Sequence, residues 1–201
     1  MSADKLIFID VETTGIATNA GLIQLAGVID IAGQPKKYFD YLIRPFADDT
    51  ISDDALAVTG STREQLMHYP EPMEVYQKFI RLLEQHVDKY NRNDKFHFIG
   101  YNARFDADHL RAWFKKNGDK YYGSWFYFPP IDVMNLAAVS LMHERSKLPD
   151  FKLTTVAKVC GLDFDPAGAH DALFDIKLTE RLFWKVQRSL KNVQSIRGEV
   201  T

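Results

Sequence analysis

Asp10 and Glu12 stand at i and i+2 inside the otherwise apolar run FIDVETTG, from Phe8 to Gly15. On a strand that spacing turns both side chains to one face. Two like charges on one face repel, and burying either without a partner is costly. A divalent cation is the usual remedy, so the pair reads as half of a metal site. Solvated acids on an edge strand are the other reading. Asp106-Ala107-Asp108 and Asp163-Phe164-Asp165 repeat the spacing, so the pair alone does not choose. The apolar neighbours Phe8, Ile9 and Val11 favour burial.

Two later segments carry further acids. GYNARFDADHL sets Asp106 behind the apolar run FHFIG, at the start of a helix, where an aspartate also serves as an N-cap. AHDALFDIKLTERLF sets His170 at a helix start and Asp175 about one turn inside, beside Leu173, Phe174 and Ile176. Taken alone, His170 reads as a structural or surface histidine and Asp171 as a cap.

Taken together, FIDVETTG, GYNARFD and AHDALFD resemble the three motifs of the DEDDh 3′–5′ exonucleases, a ribonuclease-H-like, DnaQ-like family. The resemblance runs from about Leu6 to Phe183 and includes the histidine five residues before the last aspartate. Within that family AVTGSTREQL, GYNARFDADHLRAWF, IDVMNLA and LPDFKL are most similar to the catalytic domains of the bacterial exonuclease I branch, which degrades single-stranded DNA. Thr59-Gly60 stands where proofreading subunits commonly have histidine-glycine, and Gln24 where many relatives carry a glutamate.

The resemblance implies that Asp10, Glu12, Asp106 and Asp175 hold two Mg²⁺ ions, with Mn²⁺ as a substitute. It makes His170 the general base and nucleoside 5′-monophosphates the product. Carboxylates suit hard cations, and imidazole titrates near neutrality. It also sets Thr13 near the terminal 3′ hydroxyl. Thr59 and Asn102 would line the same pocket, with Leu22 and Phe105 against the terminal bases, although both also read as core. Arg63, Arg104, Arg111, Lys115 and Lys116 are candidates to meet phosphates. The expected partners are 3′ ends of single-stranded nucleic acid, DNA before RNA, together with a polymerase or other repair protein. An exoribonuclease of the ribonuclease T or oligoribonuclease kind and a polymerase-associated proofreading subunit are the alternative activities.

The elements that must position these residues begin with three strand-like runs, Leu6–Asp10, Leu22–Ile31 and Lys37–Arg44, which suggest an antiparallel meander. Pro72 then opens an amphipathic helix through Met73, Tyr76, Phe79, Ile80, Leu83 and Val87. Phe96–Gly100 reads as a short buried strand and Asp106–Lys116 as a helix. Gly123–Pro130 (GSWFYFPP) reads as a buried strand rather than a base-stacking platform. Val133–His143 and Leu153–Val159 are predicted helices. A last helix from near Asp171 presents Ala172, Ile176, Thr179, Phe183, Val186 and Leu190 as one stripe. The expected fold is α/β, a ribonuclease-H-like mixed five-stranded sheet flanked by helices. Residues 1–190 would form the exonuclease domain and 191–201 a loose tail.

Composition sets the outer bounds. With 201 residues, 46 % apolar and 26 % charged, the chain fits one globular domain. No run has the length of a membrane span, and MSADKLIFID lacks a signal-like core, so no membrane association is expected. The single cysteine, Cys160, excludes an internal disulfide framework and fits a reducing, cytoplasmic setting. A formal charge of −2 argues against a broad sequence-independent nucleic-acid surface but not against a grip on a strand end.

Overall fold

The computed structural model describes residues 4–165 and 172–198. Five strands, β1 (Lys5–Thr13), β2 (Leu22–Ile31), β3 (Lys37–Leu42), β4 (His97–Gly100) and β5 (Ile131–Asp132), form one sheet in the order β3-β2-β1-β4-β5. The first three pair antiparallel, as the meander predicts, whereas β1–β4 and β4–β5 are parallel. The sheet is therefore mixed, and β1 is its central strand.

Centrality explains the composition of β1. Ile7, Phe8 and Ile9 are all fully buried, because successive side chains enter opposite layers and both layers are covered. On one side Ile7, Ile9 and Val11 pack under helices α3 (Pro72–Glu84) and α4 (Ala103–Lys116). On the other, Phe8 joins Val28 and Ile99 beneath α5 (Val133–Ser140), α6 (Leu153–Val159) and α7 (Ala172–Gly198). Phe8 meets Phe183 of α7 edge-on at 5.5 Å. Each such side chain contributes about 1.5–3 kcal/mol on burial, so β1 is anchored from both faces.

Gly27 lets β2 and β3 close on β1. A Cβ there would stand 2.4 Å from both the Phe39 ring and the Phe8 carbonyl oxygen, and only a residue without one fits.

Several elements differ from their predicted form. GSWFYFPP is not a strand. A short 3₁₀ turn (Tyr122–Ser124) leads into a single bridge, Phe96 with Phe126, and the fifth strand is instead Ile131–Asp132. Trp125 and Phe126 are both buried, so the neighbours do not alternate as strand residues would, and Phe128 projects 83 % exposed. Two short helices were not anticipated: α1 (Asp53–Thr59) and α2 (Arg63–Met67), the second closed by a capping box between Thr62 and Gln65. The helix predicted from Asp106 begins at Ala103. Asn102 enters it with φ 63°, a left-handed conformation asparagine tolerates, so Asp106 lies in the first turn rather than at the cap. The backbone of α7 stays helical to Gly198, past the boundary expected at residue 190.

Candidate active site

The acids meet where β1 and β4 end. Pairing of β1 with β4 stops at Phe8–Ile99, after which the chain turns into α4, and the far end of β1 loses its ladder partner on that side. Asp106, in the first turn of α4, fills the gap: its Oδ1 accepts a hydrogen bond from the Val11 amide at 3.1 Å. Asp106 is only 3 % exposed, so a carboxylate is buried against the backbone of the strand that carries Asp10 and Glu12.

Asp10 and Glu12 lie on the same side of β1 as Phe8, the side covered by α7, and Asp175 lies in the first turn of that helix. Central placement of β1 removes the edge-strand reading of the pair. The charges interact strongly. Burial pushes the Asp10 carboxyl well above the usual carboxylate range, and the negative charges of Asp106, Glu12 and Asp175 push it further. Glu12 is raised to about 7, by burial first and then by Asp175. Asp106 is raised to about 8, chiefly by burial, with Glu12 and Asp132 adding to it and the Val11 amide opposing it.

Among the described residues, no lysine or arginine forms an ion pair with Asp10, Glu12 or Asp106. Nor, among the described residues, do any three His, Cys, Asp or Glu side chains stand together as a ready ion cage. The donor set fits a hard divalent cation: oxygen ligands, excess negative charge, and, among the described residues, no lysine or arginine paired with Asp10, Glu12 or Asp106. His170, the expected base, lies outside the described residues.

The expected substrate contacts divide. Thr13 is 8 % exposed, and its hydroxyl donates to the Gly15 carbonyl at 2.8 Å, on the turn beyond Glu12. Asn102 is exposed, with its amide donating to Asp132 Oδ1 at 3.1 Å. Phe105 is half-buried and packs on His109, ring centroids 4.2 Å apart. Thr59 is the last residue of α1 and its hydroxyl donates to the Leu56 carbonyl at 3.3 Å, while Gly60, with φ 67°, caps the helix. Leu22 is 3 % exposed and belongs to the core beneath α3 and α4, which withholds its side chain from a base in this conformation.

Of the candidate phosphate contacts, Lys116 is ion-paired with Asp48 and Asp49, and Arg63 with Asp53. Arg104 reaches Asp108 at 3.5 Å. Arg111 and Lys115 are exposed and have no ion-pair partner among the described residues.

Three residues passed over in the sequence belong to this region. Ile16, 88 % exposed, projects from the loop directly after the first two acids; its signal was an isolated isoleucine between Gly15 and Ala17. Asp132 caps α5 through the Met134 amide, receives the Asn102 amide, and adds its charge to Asp106; an acid just before the helical run VMNLA was the clue. His109, 3 % exposed, sets Nδ1 against the Phe105 carbonyl and Nε2 against the Ala17 carbonyl, tying α4 to the loop after β1. Nothing in its local sequence distinguished it from the other histidines.

Comparison with known proteins agrees with this architecture. Residues 7–183 match the RNase_T family, described as exonuclease. The DNA polymerase III PolC-type protein of Thermotoga maritima is 29 % identical over 188 residues, covering 93 % of this chain but 12 % of that protein. The chain thus spans a small fraction of its PolC-type relatives. Ribonuclease T of Hahella chejuensis is 26 % identical over 194 residues, 93 % of this chain and 85 % of that one. Among solved structures, a product-bound exonuclease I superposes with TM-score 0.71 at 19 % identity, covering 96 % of this chain and 46 % of that one. E. coli exonuclease I in complex with a dT13 oligonucleotide gives 0.68 at 21 %, covering 96 % and 42 %. These likenesses carry the ribonuclease-H-like fold. Because the family match runs from Ile7 to Phe183, across every element that bears one of the four acids, the chain belongs to the RNase_T exonuclease family.

Proposed function

We propose that this chain is a divalent-metal-dependent 3′–5′ exonuclease that removes nucleoside 5′-monophosphates from the 3′ end of single-stranded DNA. The observation that carries the reading is the set of like charges at the ends of β1 and β4. Glu12 raised to about 7 and Asp106 to about 8, beside Asp10, have no protein cation to neutralise them among the described residues. Such a site is costly unless a cation completes it.

Asp10, Glu12, Asp106 and Asp175 would hold the pair of Mg²⁺ ions, for which Mn²⁺ can substitute. When bound, the ions supply Lewis-acid stabilisation of the charge that builds on the phosphate oxygens. His170 takes a proton from the attacking water, for which an ordinary pKa of about 6.5 is well placed. The water oxygen bonds to the last phosphorus, the bond from phosphorus to the penultimate 3′ oxygen breaks, and that oxygen gains a proton as the new 3′ hydroxyl. Thr13 holds the terminal 3′ hydroxyl, Thr59 and Asn102 border the pocket, and Phe105 supports the terminal base. Exposed Ile16 takes the wedge role that buried Leu22 cannot fill.

DNA is favoured because Thr59-Gly60 and LPDFKL follow the exonuclease I text. The match to ribonuclease T over 85 % of that protein's length favours an RNA substrate as the second reading. Matched DNA and RNA oligonucleotides, single- and double-stranded and labelled at either end, should be incubated with Mg²⁺ and with chelator. The expected result is stepwise loss of 3′ nucleotides from single-stranded DNA that chelator abolishes. Mononucleotide release from RNA alone would reverse the substrate, and full activity in chelator would sink the metal mechanism.

A further inference from the structure

We propose that the outward face of α4, continued to Lys120, is a binding track for the substrate nucleotides lying 5′ of the scissile bond. The inference rests on the nuclease reading above and extends it from the strand end to the strand body.

Two open grooves of about 530 Å³ and 450 Å³ lie along this face and adjoin at Asp108 and Arg111, which line both. One end lies at the rim of the acid site. Asp132 lines the second groove there, accepts the Asn102 amide, and adds its charge to Asp106. From that rim Arg104, Asp108, Arg111 and Lys115 follow at helical spacings on one face. Arg104 to Lys115 spans about 16 Å at a rise of ~1.5 Å per residue, enough for a few extended nucleotides.

Arg104, Arg111, Lys115 and Lys120 stand against Asp108, Asp119 and Asp132 in the grooves, a formal excess of one positive charge, and each acid already has a partner. Asp108 has Arg104 at 3.5 Å. Asp119 accepts the Tyr76 hydroxyl and the Tyr121 amide. Asp132 caps α5. Arg111, Lys115 and Lys120 are exposed and lack ion-pair partners among the described residues, so three cations along the track are available to phosphates. The Arg111 guanidinium lies over the Tyr122 ring, 5.0 Å from its centroid, which fixes its direction while leaving its N–H groups available.

The second requirement of a single-strand site is a flat surface for bases. Phe128 lines the second groove and is 83 % exposed, although the neighbouring Trp125 and Phe126 are buried. A cationic path with an exposed aromatic beside it binds single strands without reading sequence, by phosphate contact and base stacking. A double helix presents no free base face to Phe128.

The test compares wild type with Arg111→Ala/Lys115→Ala and with Phe128→Ala, all at exposed positions. Binding of 5′-labelled dT12, dT4 and rU12 is measured in chelator across a salt series, and hydrolysis of dT12 and dT2 with Mg²⁺. The double variant should bind dT12 about 10-fold more weakly, with the salt slope reduced by roughly 1.4 for two lost phosphate contacts. Phe128→Ala should lose about 10-fold with little change in slope. Hydrolysis of dT2, too short to reach the track, should stay at the wild-type level in both. Equal binding of dT12 by all three proteins overturns the track, as does a parallel fall in dT2 hydrolysis, which would place the effect at the acid site. The binding arm needs no turnover. Inactivity of the wild type on every substrate would therefore refute the nuclease reading, while binding still reported on the track. Equal losses on dT12 and rU12 are expected, and loss on one alone would overturn a track blind to sugar and sequence.

Discussion

Glu12 and Gln24 face each other across the β1–β2 ladder, and the Gln24 amide donates to Asp40 at 2.8 Å. The neutral residue spares Glu12 another like charge at short range. Gln24→Glu should therefore raise the Glu12 pKa beyond about 7 and shift the pH midpoint of metal binding upward, read by titration calorimetry at several pH values. An unchanged midpoint would show that position 24 is electrically remote. Glu12→Gln should separate stability from activity: the metal-free protein melts at a higher temperature because repulsion is relieved, while turnover falls by orders of magnitude. His170→Ala should spare metal binding and slow hydrolysis about 10²–10⁴-fold near neutral pH, whereas Asp175→Ala should lose both. Equal loss of metal binding in the two would contradict their separate roles. Asp10, Glu12, Asp106, Asp175 and His170 stand out in the sequence because the proposed chemistry restricts residue type. Leu22 is ambiguous in the sequence because an apolar residue beside a site has the same appearance whether it faces a base or the core. Ile16 and His109 were missed because their significance is one of exposure and contact, which spacing does not encode.

At the scale of elements, the site depends on how closely β2 approaches β1. Gly27 lies opposite Ile9, one residue before Asp10, and a methyl group there would meet the Phe39 ring and the Phe8 carbonyl. Gly27→Ala should cost about 1–3 kcal/mol, as overpacking does, seen as a lower urea midpoint, with activity falling as β1 is displaced. A wild-type midpoint would mean that the strands part freely. Asp132→Ala should cost about 1 kcal/mol for the lost cap of α5 and release the turn at Asn102. The long elements were readable from their periods. By contrast α1 and α2 bury only Leu56 and Leu66, too few turns to show a stripe. GSWFYFPP failed for another reason: its aromatic density has the composition of a strand, but Trp125 and Phe126 are buried as consecutive neighbours.

For the whole molecule, the raised carboxyls link stability, pH and metal. A carboxyl whose pKa is higher in the folded than in the unfolded chain holds its proton better when folded. Its contribution is complete below the unfolded value, about 4.3 for Glu, and is lost as pH rises through the folded value. With Glu12 at about 7 and Asp106 at about 8, the melting temperature in chelator should fall between pH 5 and pH 8. Added Mg²⁺ or Mn²⁺ should restore it, more at pH 8 than at pH 5 because protons compete for the same oxygens. At 100 times its Kd a cation stabilises by about 2.7 kcal/mol, and chelator should reverse the gain. A melting temperature insensitive to cations at pH 8 would argue against the carboxylates as ligands. Among the described residues no helix is long and apolar enough to cross a membrane.

By itself the sequence determined the chemical inventory: which acids, in what order, and that Asp10 and Glu12 share a face if they lie on a strand. Types and local spacings are properties of adjacent residues. The tertiary structure alone decided that β1 is central rather than an edge, and that its acids lie on the side covered by α7. It also decided that Asp106 reaches across to the Val11 amide, and that a groove lined by Arg104, Arg111 and Phe128 runs along α4. The reason is physical. Strand order and layer packing arise from pairing between segments distant in sequence, and the same i, i+2 spacing serves an exposed edge or a buried centre until that pairing is made.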